Sequence, residues 1–527
     1  MKQLTENDRA ALITLLAVLL GGFLRFYPPL AAGFPINDGG MFYVMIDELA
    51  ANHFIIPKYT AYNFLSIPFA YPPLAFYVGA ALKTFFHLDT IEILMILPAL
   101  VSTLAILAFQ FMAQQVFPDA RVKASLATAA FAMMPRSYSW FVAGGGLTRS
   151  FGQLFLLLML AFTIRMYKRG EKHDVWMAGM LGSLAVLSHP EATLHAITAS
   201  VLFYVFLSRN RTGLFYSLLV ALLVIVVTAP WWATIMSQHG LAPLLNAGQT
   251  GGNWGFGLAT FFRMIYPEER LATLITVFGL IGLADRLARK EYFLPAWLVI
   301  HFIILPRSAT AVSIYPLALM ASIALTEIIL PALARSNRFG TTEMETSFWL
   351  QSRISRWFLG VSMLYALISA FVMMDLPMAE SHLATDSRAA MEWASEKTEP
   401  GSRFLTMGEP TDFGLHRDAE WFPALARRHS ILTLQGREWI WGEQFIEAIE
   451  PYVEVQTCLF QDLACLEEKS ANLRLDYDYI YLQRPSASQF EIKEGGRVEL
   501  LLAQELKESP SYRLVYEMGN ISIYRRE

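Results

Sequence analysis

The chain has 527 residues, 55% of them hydrophobic and 16% charged, with a mean hydropathy of +0.39. Soluble globular proteins carry about 25% charged residues, so this composition excludes an ordinary water-soluble domain as the whole of the chain. Residues 1–375 hold 25 basic and 19 acidic side chains, whereas 376–527 hold 16 and 26, so two differently solvated parts meet near Met374-Asp375-Leu376-Pro377.

A helix crossing about 30 Å of hydrocarbon needs roughly 20 apolar residues. Eleven runs are read as spans: 10–31, 91–116, 122–138, 150–167, 173–188, 192–207, 213–235, 271–288, 292–306, 311–333 and 356–375. The first is followed by Arg25-Phe26-Tyr27-Pro28-Pro29 rather than by small residues, so it is expected to be retained and not cleaved as a signal. A long first loop, 33–90, opens with the turn Asn37-Asp38-Gly39-Gly40. A helix-period segment follows, with Met41, Val44, Met45 and Leu49 on one face and Asp47 and Glu48 elsewhere, as expected for an interfacial helix. The stretch 70–86 starts with Tyr71-Pro72-Pro73 and carries Lys83, so it is read as a second interfacial or re-entrant helix. A second long loop, 236–270, contains Gly248-Gln249-Thr250-Gly251-Gly252-Asn253-Trp254-Gly255. Beyond 376 the pattern is mixed α/β, with strands expected at 403–407, 430–434, 478–482, 513–516 and 521–524 and helices near 384–396 and 443–450. The Trp-rich pieces around Trp421 and around Trp439 and Trp441 read as core in preference to a sugar-stacking surface.

Basic residues gather on the cytoplasmic side of membrane proteins. With the N-terminus inside and eleven spans, 17 of the 25 basic residues before position 376 fall in inside segments. Counting 70–86 as a further span would invert every later loop and spoil that bias. The expected architecture is a polytopic α-helical membrane domain over 1–375 and an extracytoplasmic soluble α/β domain over 376–527. Both cysteines, Cys458 and Cys465, fall in the second part, where an oxidising compartment would let them pair; two free thiols are the alternative.

Ionisable residues at membrane depth are functional candidates. Asp38, Arg149, His189, Glu191 and Arg307 all fall at the outside ends of spans, with Trp231 and Trp232 closing the seventh. A wet cavity facing outward would explain the clustering. Each also has a plainer reading: Asp38 as a turn former, Arg149 and Arg307 as snorkelling side chains, His189 and Glu191 as a self-satisfying polar pair, and the two tryptophans as an interfacial belt. Gly144-Gly145-Gly146 is no phosphate-binding fingerprint, because no βαβ unit surrounds it.

The chain resembles the GT-C glycosyltransferases, which include oligosaccharyltransferase catalytic subunits, protein O-mannosyltransferases and aminoarabinose transferases. The resemblance lies in a first span followed by a long outside loop with an early acid, Asp38. It lies also in the Tyr71-Pro72-Pro73-Leu74 helix start, and in Pro135-Arg136-Ser137 through Ala143-Gly144-Gly145-Gly146-Leu147-Thr148-Arg149-Ser150. It implies a polyprenyl-phosphate sugar donor reached from the membrane lipid and a glycan, lipid or protein acceptor. Asp38 is then the general base, Arg149 and Arg307 contact the donor phosphate, His189 and Glu191 line the sugar pocket, and Lys58 is a further phosphate candidate. Where the oligosaccharyltransferase loop carries acidic metal ligands, this sequence has Gly144–Thr148 and then Arg149. That departure speaks against a divalent metal and leaves Arg149 for a phosphate; no other cofactor and no nucleic-acid partner is expected. The resemblance further implies a plasma-membrane location. The competing reading is a lipid-linked sugar flippase or transporter, but no internal repeat of the transporter kind is visible.

Overall fold

The computed structural model describes residues 5–249, 274–335, 349, 352–409, 416–484 and 501–527. Residues 250–273, which hold most of the Gly-rich part of the second long loop, lie outside the described residues. Helix α1 (Glu6–Ala32) opens with a capping box, Thr5 Oγ1 accepting from the Asp8 amide and Asp8 accepting from the Thr5 amide. It closes at Gly33, whose φ of +60° lets its N–H turn back to the Pro29 carbonyl.

There follow α2 (Gly40–Ala51), α3 (Leu74–Phe86), α4 (Thr90–Val116), α5 (Arg121–Met133), α6 (Gly146–Arg169) and α7 (Lys172–Val186). Next come α8 (Pro190–Leu207), α9 (Arg211–His239), α10 (Ala242–Gln249), α11 (Leu274–Ala288), α12 (Phe293–Ile304), α13 (Ala309–Ile323) and α14 (Arg353–Ala370). Helix α13 continues through a π-helical stretch, Ala324–Ile329, and α14 through another, Phe371–Asp375. Among the described residues seven helices are long and apolar enough to cross a membrane: α1, α4, α6, α8, α9, and α13 and α14 with their extensions. The chain is an integral membrane protein of the helical type. The expected runs 122–138, 173–188, 271–288 and 292–306 correspond to α5, α7, α11 and α12, which are shorter, at 12–15 residues.

Small side chains let these helices approach closely. Helix α5 buries Ala124, Ala127, Ala129, Ala130 and Ala132. Into the space so left reaches Arg25 of α1, wholly buried. Its Nε donates to the Ser102 carbonyl and hydroxyl, Nη1 to the Gly21 and Ala132 carbonyls, and Nη2 to the Ser137 hydroxyl. This one side chain ties α1, α4 and α5 to the loop that leads into α6. Tyr138 in that loop donates to Asp375 at 2.7 Å. The seventh expected span does not end at its tryptophans. Helix α9 runs through Pro230 to His239, with the Trp232 indole donating to the Ile225 carbonyl at 3.2 Å.

The last third is built on a five-stranded sheet in the order β4-β3-β5-β7-β6: β3 (Arg403–Met407), β4 (His429–Ser430), β5 (Tyr479–Gln483), β6 (Tyr512–Met518) and β7 (Ile521–Arg526). Strand β3 is parallel to β4 and β5, and β7 is antiparallel to β5 and β6. The strand expected over 430–434 stops at Ser430, because the Arg437 guanidinium takes the carbonyls of Ile431 and Thr433. Against the sheet pack α15 (Thr385–Lys397), α16 (Arg417–Leu425), α18 (Phe445–Thr457), α19 (Leu463–Asn472) and α20 (Leu501–Glu508), whereas the short α17 (Glu438–Trp441) lies against α10. Cys458 and Cys465 are joined by a disulfide, and Trp421 and Trp439 are buried.

The first long loop and this last third share one hydrophobic core, with Phe34, Met41, Phe42 and Ile46 from the loop meeting Trp421, Phe422 and Trp439. That explains a difference in α2. Its buried face takes in Phe42 and Ile46 besides Met41, Met45 and Leu49, while Val44 is only half-buried. Polar ties reinforce the core. Asn63 and Ser430 exchange two hydrogen bonds, 2.7 and 2.9 Å, and Ile36 forms an antiparallel bridge with His382. A small hairpin within the loop pairs β1 (Tyr59–Thr60) with β2 (Ile67–Pro68).

Candidate active site

The site is assembled where helices begin and end. Helix α6 starts at Gly146 and delivers Arg149 and Gln153 one turn apart. Helix α8 starts at Pro190, a residue suited to a first helical position because it lacks an N–H, and sets Glu191 and His195 on one face. His189 precedes it as N-cap. Arg307 and Ser308 lie between α12 and α13, and Arg136 lies in the loop before α6. All of these line one cavity of about 340 Å³, together with aromatic walls from Trp140, Phe141 and Tyr315.

Its charge is mainly cationic. Arg307 pairs with Glu191 at 3.6 Å, an ion pair half open to solvent. Arg149 lies over the Trp140 ring, 5.8 Å from its centroid, and within electrostatic reach of Asp38 and Glu191. Its Nη1 is buried and has no hydrogen-bond acceptor among the described residues. A buried guanidinium nitrogen without an acceptor is costly unless something anionic meets it. At the cavity floor His195 Nδ1 lies 3.0 Å from His301 Nδ1, and its Nε2 lies 2.8 Å from the Ser308 hydroxyl.

Asp38 is not part of this cavity wall. It sits beside it, its Oδ1 accepting from the Gly145 amide at 3.0 Å, four residues before Arg149. The glycines explain the approach. A Cβ at Gly144 would run into the Asp38 carbonyl, and one at Gly145 into the Asp38 carboxylate. Gly39 adopts a φ of +138°, a conformation that side chains disfavour. Immediately beyond Asp38, the amides of Gly39, Gly40 and Met41 donate to the buried carboxylate of Glu420, at 3.1–3.3 Å. Burial, and then the charge of Asp38, push the Glu420 carboxyl up to about 8, while those three amides pull the other way. Tyr71, within the first loop, has its ring 5.5 Å from Trp439 and 6.2 Å from the cavity residue His189.

Of the residues singled out in the sequence, Arg149, His189, Glu191 and Arg307 come together in the cavity, with Asp38 next to them. Lys58 does not join them; it is exposed, with its ammonium over the Tyr59 ring and its carbonyl bonded to His239. Sequence reasoning missed Arg136, His195, His301 and Glu420. His195 could have been found as the residue one turn after Glu191, and Arg136 from the quoted Pro135-Arg136-Ser137. Nothing in the sequence marks Glu420. A divalent metal fits poorly: among the described residues no three His, Cys, Asp or Glu side chains converge to hold one, and the loop beside Asp38 offers glycine, threonine and arginine.

Comparison with known proteins gives a consistent fold. A family described as "6-pyruvoyl-tetrahydropterin synthase related domain; membrane protein" matches residues 70–254, about a third of the chain. No curated protein matches by sequence. Among solved structures, ArnT from Cupriavidus metallidurans bound to undecaprenyl phosphate superposes with a TM-score of 0.56 at 13% identity, over 98% of this chain and 97% of ArnT. The same protein in the apo state gives 0.57 at 14%, again over 98% and 97%. The arabinofuranosyltransferase AftD from Mycobacteria gives 0.58 at 15% over the whole of this chain but 40% of AftD. The polytopic helical fold expected from the sequence is therefore one that this chain shares with ArnT and AftD.

Proposed function

We propose that this chain is a glycosyltransferase that moves a sugar from a polyprenyl-phosphate-linked donor to an acceptor on the outer face of the membrane, with Asp38 as general base. The observation that carries this reading is the buried Arg149 Nη1, which has no acceptor among the described residues, in a cavity it shares with Arg136 and Arg307. Three guanidiniums lining one cavity suit a phosphate that gains charge as its sugar departs. The shared fold with ArnT, crystallised with undecaprenyl phosphate, supports a lipid-borne donor.

In this mechanism the acceptor hydroxyl oxygen attacks the anomeric carbon while Asp38 takes its proton. The bond between the anomeric carbon and the phosphate oxygen breaks, and its electron pair leaves with the polyprenyl phosphate. Arg149 and Arg307 hold that phosphate, with Arg136 beside them. His189 and Glu191 line the sugar pocket, and the pairing of Glu191 with Arg307 fixes both side chains. Lys58 is given no role, and no step passes through a metal. The excess of basic residues in alternate loops supports a cytoplasmic N-terminus and an extracytoplasmic 376–527 in the plasma membrane.

The test uses purified protein with a panel of undecaprenyl-phosphate sugars, scored for transfer and slow donor hydrolysis. Wild type is expected to turn over at least one donor, and Asp38→Asn to lose about a hundredfold or more in kcat with donor binding retained. Full activity in Asp38→Asn would sink the base assignment. Movement of a sugar-lipid across vesicles with no transfer would favour a flippase.

A further inference from the structure

We infer that Glu420, in the last third of the chain, is a positioning residue for the catalytic loop, so that the last third of the protein holds the base in place beside the cavity. The inference rests on the reading of Asp38 as the base. Its starting point is a helix without a local cap. Helix α2 begins at Gly40 behind an N-cap glycine that has no side chain to offer, yet its first N–H groups need acceptors. Both oxygens of Glu420 supply them. Oε1 accepts from Gly39 and Met41 at 3.3 and 3.2 Å, and Oε2 from Gly39 and Gly40 at 3.2 and 3.1 Å. The side chain is 3% exposed.

The backbone on the other side of Asp38 is held from the same part of the chain. The Trp421 indole donates to the Asn37 carbonyl at 3.0 Å, and the Asn37 amide donates to the Ser381 carbonyl at 2.6 Å. Tyr62 in the first loop donates its hydroxyl to the Glu420 carbonyl at 2.6 Å. Asp38 is thus clasped before and after by residues from the last third of the chain, while its own carboxylate rests on the Gly145 amide. A Cβ at Gly40 would lie 2.6 Å from the Glu420 carbonyl, so the glycine pair is what admits the clasp. A displacement of about 1 Å in a reacting group can cost about a hundredfold in rate. Holding the backbone on both sides of a base is the means of avoiding it.

The geometry gives this role a signature different from that of a plain fold-stabilising contact. The phosphate-binding arginines lie on α6, in the loop before it and between α12 and α13, so loss of the clasp should move kcat and leave donor binding alone. The experiment compares full-length wild type, Glu420→Ala and Glu420→Gln for kcat and KM with undecaprenyl-phosphate sugars. Binding of undecaprenyl phosphate itself and amide exchange at 39–41 are measured alongside. Glu420→Ala should lower kcat about 30- to 100-fold with KM and undecaprenyl-phosphate binding within about twofold, and amides 39–41 should exchange faster. Glu420→Gln, which keeps an acceptor oxygen for these amides, should recover about tenfold of that loss. A kcat within about twofold of wild type in Glu420→Ala, a loss confined to KM, or no recovery in Glu420→Gln overturns the assignment. Should wild type turn over no donor, the glycosyltransferase reading fails instead, and unchanged exchange at 39–41 in Glu420→Ala would then overturn the clasp by itself.

Discussion

A buried guanidinium nitrogen with no acceptor among the described residues is what the proposed phosphate site rests on, so Arg149 is the side chain to alter first. Arg149→Ala should weaken undecaprenyl-phosphate binding roughly 10- to 100-fold, matching about 1.5–3 kcal/mol for a hydrogen bond to a charged group. Arg149→Lys should recover only part of this, because an ammonium lacks the forked geometry; equal binding by all three forms would remove Arg149 from the phosphate site. Glu420 makes a second prediction at this scale. Its carboxyl is raised from 4.5 to about 8, first by burial and then by Asp38, so the protonated form is the one folding favours. The resulting stabilisation is complete below about 4.5 and is lost as pH rises through about 8. Thermal unfolding measured across that window should fall in wild type and flatten in Glu420→Gln, whose amide does not ionise. Position along the chain made Arg149, His189, Glu191 and Arg307 legible, because ionisable residues at span ends on one side imply a common cavity. Glu420 was not legible. It looks like any acid beside a buried tryptophan, and the backbone amides it serves are 379 or more residues away.

Among the elements, the helices were read more accurately than their ends. Apolar length fixes where a helix runs, whereas its limits depend on partners out of sequence. Helix α9 passes its tryptophans even though Pro230 lies inside it and removes one donor. The strand at 429 is cut short because Arg437 takes the carbonyls a neighbour would need. The disulfide between Cys458 and Cys465 joins the end of α18 to the start of α19 across a separation of seven residues. Closing so short a loop is worth about 2–3 kcal/mol on chain-entropy grounds. Cys458→Ser with Cys465→Ser should therefore lower the thermal stability of this region while transfer continues at the permissive temperature. A loss of transfer at full stability would show that the bridge serves the site and not the fold.

At the scale of the whole molecule, orientation is the sharpest expectation. Single cysteines placed at Arg209 and at Ser511, in a background without Cys458 and Cys465, should react with a membrane-impermeant maleimide from opposite sides. Ser511→Cys should label in intact cells and Arg209→Cys only after the membrane is opened. Labelling of both from one side would invalidate the span count on which the outward-facing site depends. The charge step at 376 suggested two environments, and the structure shows what the charges could not: the last third is not an appendage, because Phe34, Met41 and Phe42 lie in one core with Trp421 and Phe422.

That shared core has a consequence for how the protein is made. On the proposed reading the base stands at residue 38 and its clasp at residue 420, so a ribosome that has completed every membrane helix would still not have produced a working centre. Arginines able to grip a phosphate are in place by residue 307, yet α2 stays without acceptors for its first amides until α16 has emerged and folded. On that reading an unfinished chain would hold lipid phosphate without transferring a sugar, and synthesis itself would act as the safety catch.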